Sequence, residues 1–136
     1  MAVRLLIVDD SSLQRRALVS LLAPYDVEIV EAEDGLQALA AVRAQPPNLV
    51  LLDYNMPVLD GLGFLRALRA DEEFARTNVI MLTANSAPDT LAAAARLHVR
   101  DYLIKPCDGP TLISKISRIV PITFKSDAVA SQQGAS

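Results

Sequence analysis

Four apolar runs along the chain end in, or lead straight into, a polar residue that chemistry can use. Val3-Arg4-Leu5-Leu6-Ile7-Val8 runs into Asp9-Asp10, and Leu49-Val50-Leu51-Leu52 runs into Asp53. Val79-Ile80-Met81-Leu82 runs into Thr83, and Tyr102-Leu103-Ile104 runs into Lys105-Pro106. Short, near-continuous apolar runs separated by amphipathic stretches predict buried parallel strands alternating with helices. If the strands are parallel neighbours, their carboxyl ends share one edge of the sheet. That edge is where open α/β sheets bind ligands.

The pattern alternates strand and helix five times. The first strand spans 3–8. A helix capped by Ser11 or Ser12 follows, with Leu13, Ala17, Leu18 and Leu21 recurring at helical spacing until Pro24. Residues 26–31 alternate imperfectly between apolar and charged, as a half-exposed edge strand would. Asp34-Gly35 opens a second helix that Pro46-Pro47 ends. The third strand spans 48–53, and Pro57 and Gly61 punctuate a loop before a helix over 62–69 with Phe64, Leu65 and Leu68 facing inward. The fourth strand covers 78–83, and Pro88 sits near the first turn of an alanine-rich helix to about Leu97. After a fifth strand over 100–104, Pro110 begins a helix carrying Leu112, Ile113, Ile116, Ile119 and Val120. Pro121 stops it. Residues 1–120 therefore read as one α/β domain, with 121–136, rich in Ser, Ala and Gln, expected to be a mobile tail.

Composition narrows the class without adding chemistry. At 136 residues the chain is long enough for one proper core. A formal net charge of −3 argues against a nucleic-acid footprint, which needs a clustered basic face. No apolar run approaches the ~18 residues of a membrane span. The run over 5–8 is cut off by Asp9-Asp10 and is not a signal-peptide core. The single cysteine, Cys107, cannot form an internal disulfide, which suits a cytoplasmic protein.

The residues at the strand ends fit together chemically. Asp9, Asp10 and Asp53 brought within a few ångströms would raise one another's pKa, and a hard divalent cation such as Mg²⁺ removes that conflict. A carboxylate is also a nucleophile able to form an aspartyl phosphate. Lys105 would then supply a cation, and Thr83 a hydroxyl hydrogen bond, to phosphoryl oxygens.

Taken in order, Asp9-Asp10-Ser11, Asp53-Tyr54-Asn55-Met56-Pro57 followed by Asp60-Gly61, Thr83-Ala84, and Asp101-Tyr102-Leu103 followed by Lys105-Pro106 closely resemble the receiver domain of bacterial two-component response regulators. The resemblance covers roughly residues 3–120. It implies a five-stranded parallel sheet of order 2-1-3-4-5 with helices on both faces, a flavodoxin-like doubly wound fold. It further implies that Asp53 is the phosphoacceptor, served by a histidine kinase or histidine phosphotransfer protein. Asp10 and Asp53 would ligate Mg²⁺ by side chain and Asn55 by its backbone carbonyl, with Asp9 acting through a water. Thr83 and Lys105 would contact the phosphoryl group, and Thr83 and Tyr102 would form the switch. The Lys105-Pro106 peptide is cis in relatives. Asn55 and Asn85 would flank the approach of the hydrolytic water and so tune the lifetime of the phosphorylated state.

Function therefore reads as a phosphorylation-controlled signalling switch that catalyses only its own phosphotransfer and dephosphorylation. Its changed surface would lie on the fourth helix, fifth strand and fifth helix, with no direct nucleic-acid or membrane partner expected. A pseudo-receiver would lack an acceptor or metal residue, and none is missing. A phosphohydrolase of the haloacid-dehalogenase kind needs a second acid two residues after the nucleophile, where this chain has Asn55. No DNA-binding or enzymatic output domain follows residue 120, which resembles a stand-alone, chemotaxis-type receiver or one excised from a larger regulator.

Several residues take structural readings. Asp60-Gly61 reads as a turn and helix start, and Arg15 and Arg16 as a solvated helix face. Where relatives usually carry Gly-Ala this chain has His98-Val99, so either the helix ends differently or strain is stored there. Cys107 reads as a small buried hydrophobe.

Overall fold

Each apolar run forms a strand in the computed structural model of the protein, which describes residues 3–54, 56, 58–84, 88–105 and 108–125. The elements run β1 (Val3–Val8), α1 (Ser12–Leu22), β2 (Val27–Ala32), α2 (Gly35–Ala44), β3 (Leu49–Asp53), α3 (Gly61–Ala70), β4 (Val79–Thr83), α4 (Pro88–Arg96), β5 (Asp101–Ile104) and α5 (Gly109–Ser117). All neighbouring strands pair in parallel, in the order β2-β1-β3-β4-β5. The flavodoxin-like order is thus observed, with β2 at an edge as its mixed pattern predicted.

Strand alternation divides the core between two layers. Leu6, Val8, Val50, Leu52, Val79 and Met81 pack with Ala38 and Val42 of α2 and Phe64, Leu65 and Leu68 of α3. Their neighbours Leu5, Ile7, Leu49, Leu51, Ile80 and Leu82 face Leu22, Leu112, Ile116 and Val120 on the side of α1 and α5. The central strands are apolar at nearly every position because both faces are covered.

Side-chain caps start the helices at the sheet's C-terminal edge. Ser11, not Ser12, caps α1, its hydroxyl accepting from the Gln14 N–H at 3.2 Å. Asp34 and Asp60 cap α2 and α3, each accepting at 2.8 Å from the amide three residues on, and Asp108 caps α5 at 2.7 Å. Each cap satisfies a backbone donor that the first helical turn leaves orphaned.

The end of α4 resolves the question raised by His98. Its φ is 59°, in the left-handed region, with the His98 N–H bonded to the Ala95 carbonyl at 3.0 Å and the Val99 N–H to Ala94 at 3.3 Å. This paired geometry is the helix terminus that glycine favours, here built with a histidine. Arg69 of α3 secures the same turn. Its guanidinium donates to the carbonyls of Leu97 at 2.8 Å and His98 at 3.1 Å, and to Ala75 and Thr77 at 3.0 and 2.7 Å.

The chain expected to leave the domain at Pro121 folds back instead. The Asp26 N–H donates to Thr123 and the Lys125 N–H to Pro24, each at 2.7 Å, in an antiparallel bridge. The rings of Tyr25 and Phe124 stack with centroids 4.7 Å apart, and Ile122 packs against the core beneath α1 and α5. This strap, residues 122–125, therefore lies against the domain. The residues after 125 lie outside those described.

Candidate functional site

Strand register brings the acidic residues together. Val8 pairs with Leu52, so Asp9 and Asp53, each one residue further on, emerge side by side at the C-terminal edge. Asp53 in turn pairs with Leu82, which sets Thr83 beside the same edge. The Lys105 N–H donates to the Thr83 carbonyl at 2.7 Å, carrying the pairing of β4 and β5 one residue past Ile104. Lys105 Nζ then reaches across the edge, 3.0 Å from Asp9 Oδ2 and 3.1 Å from Asp53 Oδ1.

Burial sharpens these contacts. Asp9, Asp53 and Thr83 are buried at 2%, 8% and 0% exposure, whereas Asp10 stands exposed at the mouth. Burial raises the Asp53 carboxyl above its ordinary pKa; Lys105 opposes that shift, and the charges of Asp9 and Asp10 add to it. For Lys105, burial is the largest single influence and favours loss of the proton. The hydrogen bonds and charges of Asp9 and Asp53 outweigh it, and the ammonium is held above its usual range.

One oxygen from each of Asp9, Asp10 and Asp53 lies within 4.8 Å of the others. Three carboxylates against one ammonium leave the pocket with excess negative charge. The donors are hard oxygens and one side is open to water through Asp10. That set fits Mg²⁺, which retains waters and favours carboxylate and phosphate ligands.

Helix α3 presses close behind Asp53. A Cβ on Gly61 would lie 2.8 Å from the Asp53 carbonyl oxygen and 3.0 Å from the Tyr54 Cα, so only glycine allows this approach. The Gly61 N–H also donates to the Tyr54 carbonyl at 3.0 Å. Asp60-Gly61 is thus the helix start the sequence predicts, placed directly against the Asp53 peptide. In the same loop Val58 has φ 66°, a strained value for a β-branched residue.

Of the sequence-predicted site residues, Asp9, Asp10, Asp53, Thr83 and Lys105 converge. Tyr102 stands apart on β5, 40% exposed. Asn55, Asn85, Pro106 with its peptide to Lys105, and Cys107 fall outside the described residues. Beside the site, a cavity of about 430 Å³ is lined by Ala17, Leu18 and Leu21 of α1, Leu82, Leu112 and Lys105.

The reading of Arg15 as solvated is corrected. It is buried, donating to the Asp9 carbonyl at 2.7 Å and pairing with Glu31 at 3.0 Å. Its spacing gave no warning, because its partners lie in the turn before α1 and on a different strand. The further face of α4, β5 and α5 carries one ion pair among the described residues, Lys115 Nζ to Asp101 at 2.8 Å.

No helix among the described residues is long and apolar enough to cross a membrane. The chain is similar to the chemotaxis protein CheY-3 of Vibrio cholerae, 37% identical over 117 residues spanning 85% of this chain and 90% of that one. It is equally similar, at 37% identity over 117 residues, to the chemotaxis protein CheY of Pseudomonas aeruginosa, covering 85% of this chain and 94% of that one. The solved structure of the Vibrio cholerae chemotaxis protein CheY4 superposes with a TM-score of 0.81 at 29% identity, over 88% of this chain and all of that one. The family model for the response regulator receiver domain matches residues 5–117. Fold, edge chemistry and these likenesses agree, and the chain belongs to the response regulator receiver domain family.

Proposed function

We propose that the protein is a signalling switch in which Asp53 accepts a phosphoryl group from a phosphohistidine on a histidine kinase or phosphotransfer protein. One observation carries the reading: a buried carboxylate at a strand end, 3.1 Å from a lysine ammonium and within 4.8 Å of two further carboxylates. An Asp53 oxygen attacks phosphorus as the phosphorus–nitrogen bond breaks and the imidazole departs. Lys105 stabilises charge on the phosphoryl oxygens, and the Thr83 hydroxyl offers a further hydrogen bond. Asp10 and Asp53, with Asp9 and Asn55 as the family pattern implies, would hold Mg²⁺, which would supply the positive charge this transfer requires.

Hydrolysis reverses the state. Water attacks phosphorus, the bond to the Asp53 oxygen breaks, and the carboxylate is regenerated. By analogy with the family, Asn55 and Asn85 would tune the rate of that hydrolysis. The added charge of about −1.5 to −2 draws Thr83 inward, and the space it vacates admits Tyr102. The consequence is a changed surface on α4, β5 and α5 that a downstream protein would bind. Residues 1–120 with the strap carry this activity.

The test is intact-mass measurement after incubation with acetyl phosphate and Mg²⁺. The wild type gains one phosphoryl group and Asp53→Asn, which keeps the shape but loses the nucleophile, gains none. Full phosphorylation of that variant overturns the assignment.

A further inference from the structure

We infer that Arg15 is a positioning residue for the acidic pocket, setting its affinity for a divalent cation by locking the β1–α1 turn. This inference rests on the proposed metal-assisted phosphoacceptor site. Asp9 is held on every side. Its N–H donates to Ala32 at 3.1 Å, its Oδ1 accepts from the Ser11 N–H at 3.0 Å, and its Oδ2 accepts from Lys105 at 3.0 Å. Arg15 closes the remaining side, Nη1 donating to the Asp9 carbonyl at 2.7 Å.

The relative worth of Arg15's contacts decides what it is for. Its acidic partners are open to water, Glu31 at 47% and Glu33 at 63% side-chain exposure, with the second pair 3.7 Å apart. Exposed pairs of this kind add little to stability. The Arg15 side chain is only 11% exposed and its bond to Asp9 is buried. A charge-assisted bond to a buried carbonyl is the strong member of the set. The glutamates act mainly to orient the fork, whose planar geometry lets one side chain grip β2 and the turn together.

The turn needs such a grip. It carries both Asp9 and Asp10, each with an oxygen within 4.8 Å of one from Asp53. Mutual repulsion pushes the turn outward, and a turn free to relax binds a cation only after paying to close again. Arg15 holds the open-mouthed, closed-turn geometry in advance.

Magnesium titration by calorimetry on the full chain tests this, comparing wild type with Arg15→Gln, Arg15→Lys and Glu31→Gln. Loss of an outer partner of a ligand typically weakens metal binding about 10- to 100-fold, and that range is expected for Arg15→Gln. Arg15→Lys, which retains the charge without the fork, falls between. Glu31→Gln stays within about twofold, as an exposed pair should. At saturating Mg²⁺, phosphorylation of Arg15→Gln by acetyl phosphate returns to the wild-type rate, so the defect lies in cation affinity alone. Unchanged affinity in a less stable Arg15→Gln assigns the residue to structural support and overturns the inference. If Arg15→Gln does not fold, Arg15→Lys decides on the same criterion. A wild type that takes phosphate but shows no Arg15 effect refutes only this inference. One that neither binds Mg²⁺ nor takes phosphate refutes the site reading and this inference together.

Discussion

Replacing Arg69 with methionine removes one cation and orphans four carbonyls. Those of Leu97 and His98 belong to the turn after α4, and those of Ala75 and Thr77 to the connection from α3 to β4. Among the described residues Arg69 has no carboxylate partner, so its whole contribution runs through these bonds. Burial lowers its pKa, and the guanidinium stays charged at any physiological pH. Hydrogen bonds to a charged group contribute about 1.5–3 kcal/mol each when sealed from water. The site is only partly sealed, and water would replace the arginine at the His98 carbonyl, whose bond to Arg69 is solvent-exposed. Discounting to about 0.5–1 kcal/mol per bond gives a loss of about 2–4 kcal/mol. For a domain of this size that corresponds to a melting temperature lowered by about 7–14 °C. Urea denaturation at two protein concentrations measures it, with Arg69→Lys expected to lose about half as much because an ammonium reaches fewer carbonyls. A loss below about 1 kcal/mol for the methionine variant would show that water satisfies these carbonyls and that the clamp is dispensable.

Three further outcomes follow from the geometry. His98→Gly should stabilise the protein by about 1 kcal/mol, because glycine adopts φ near 59° without a Cβ clash; a destabilisation in urea melts would refute the strain. With metal chelated, Asp53→Asn should be more stable than wild type at neutral pH, since the native fold disfavours the ionised carboxyl. The native state binds the Asp53 proton more tightly than the unfolded chain does, so wild-type stability falls as pH rises from the unfolded value of 3.8 through the raised native one. The advantage of the variant should therefore vanish in acid, and a constant difference across pH would contradict the assigned shift. Phe124→Ser should cost about 1–2 kcal/mol by removing the ring stacked on Tyr25, and Tyr25→Ser with it should cost less than the sum; strict additivity would mean the rings do not cooperate.

Much of this fold was legible because parallel strands buried on both faces carry unbroken apolar runs, as at 49–52 and 79–82. The site was legible for the same reason: the first polar residue after each run lands on the C-terminal edge. What remained hidden depends on long-range reach. Arg15 grips a strand sixteen residues on, and Arg69 grips a turn twenty-eight and twenty-nine residues away. Nothing in local spacing distinguishes such arginines from solvated ones. The strap has a sequence signal of its own, since Ile122-Thr123-Phe124 joins β-branched and aromatic residues as a short strand does. At His98 the sequence posed the right alternatives, and only backbone geometry could choose between them.

The strap also gives the molecule two working poles. Tyr25 and Asp26 precede β2, so Phe124 and Lys125 sit at the N-terminal edge of the sheet, while Asp53 closes β3 at the other. Strands of five and six residues separate these edges by roughly 15–20 Å. A fluorophore or solid-support tether attached at Lys125 would lie at the opposite edge of the sheet from Asp53. The acidic pocket would then stay open to solvent, and the same cargo at the start of α1 would crowd its mouth.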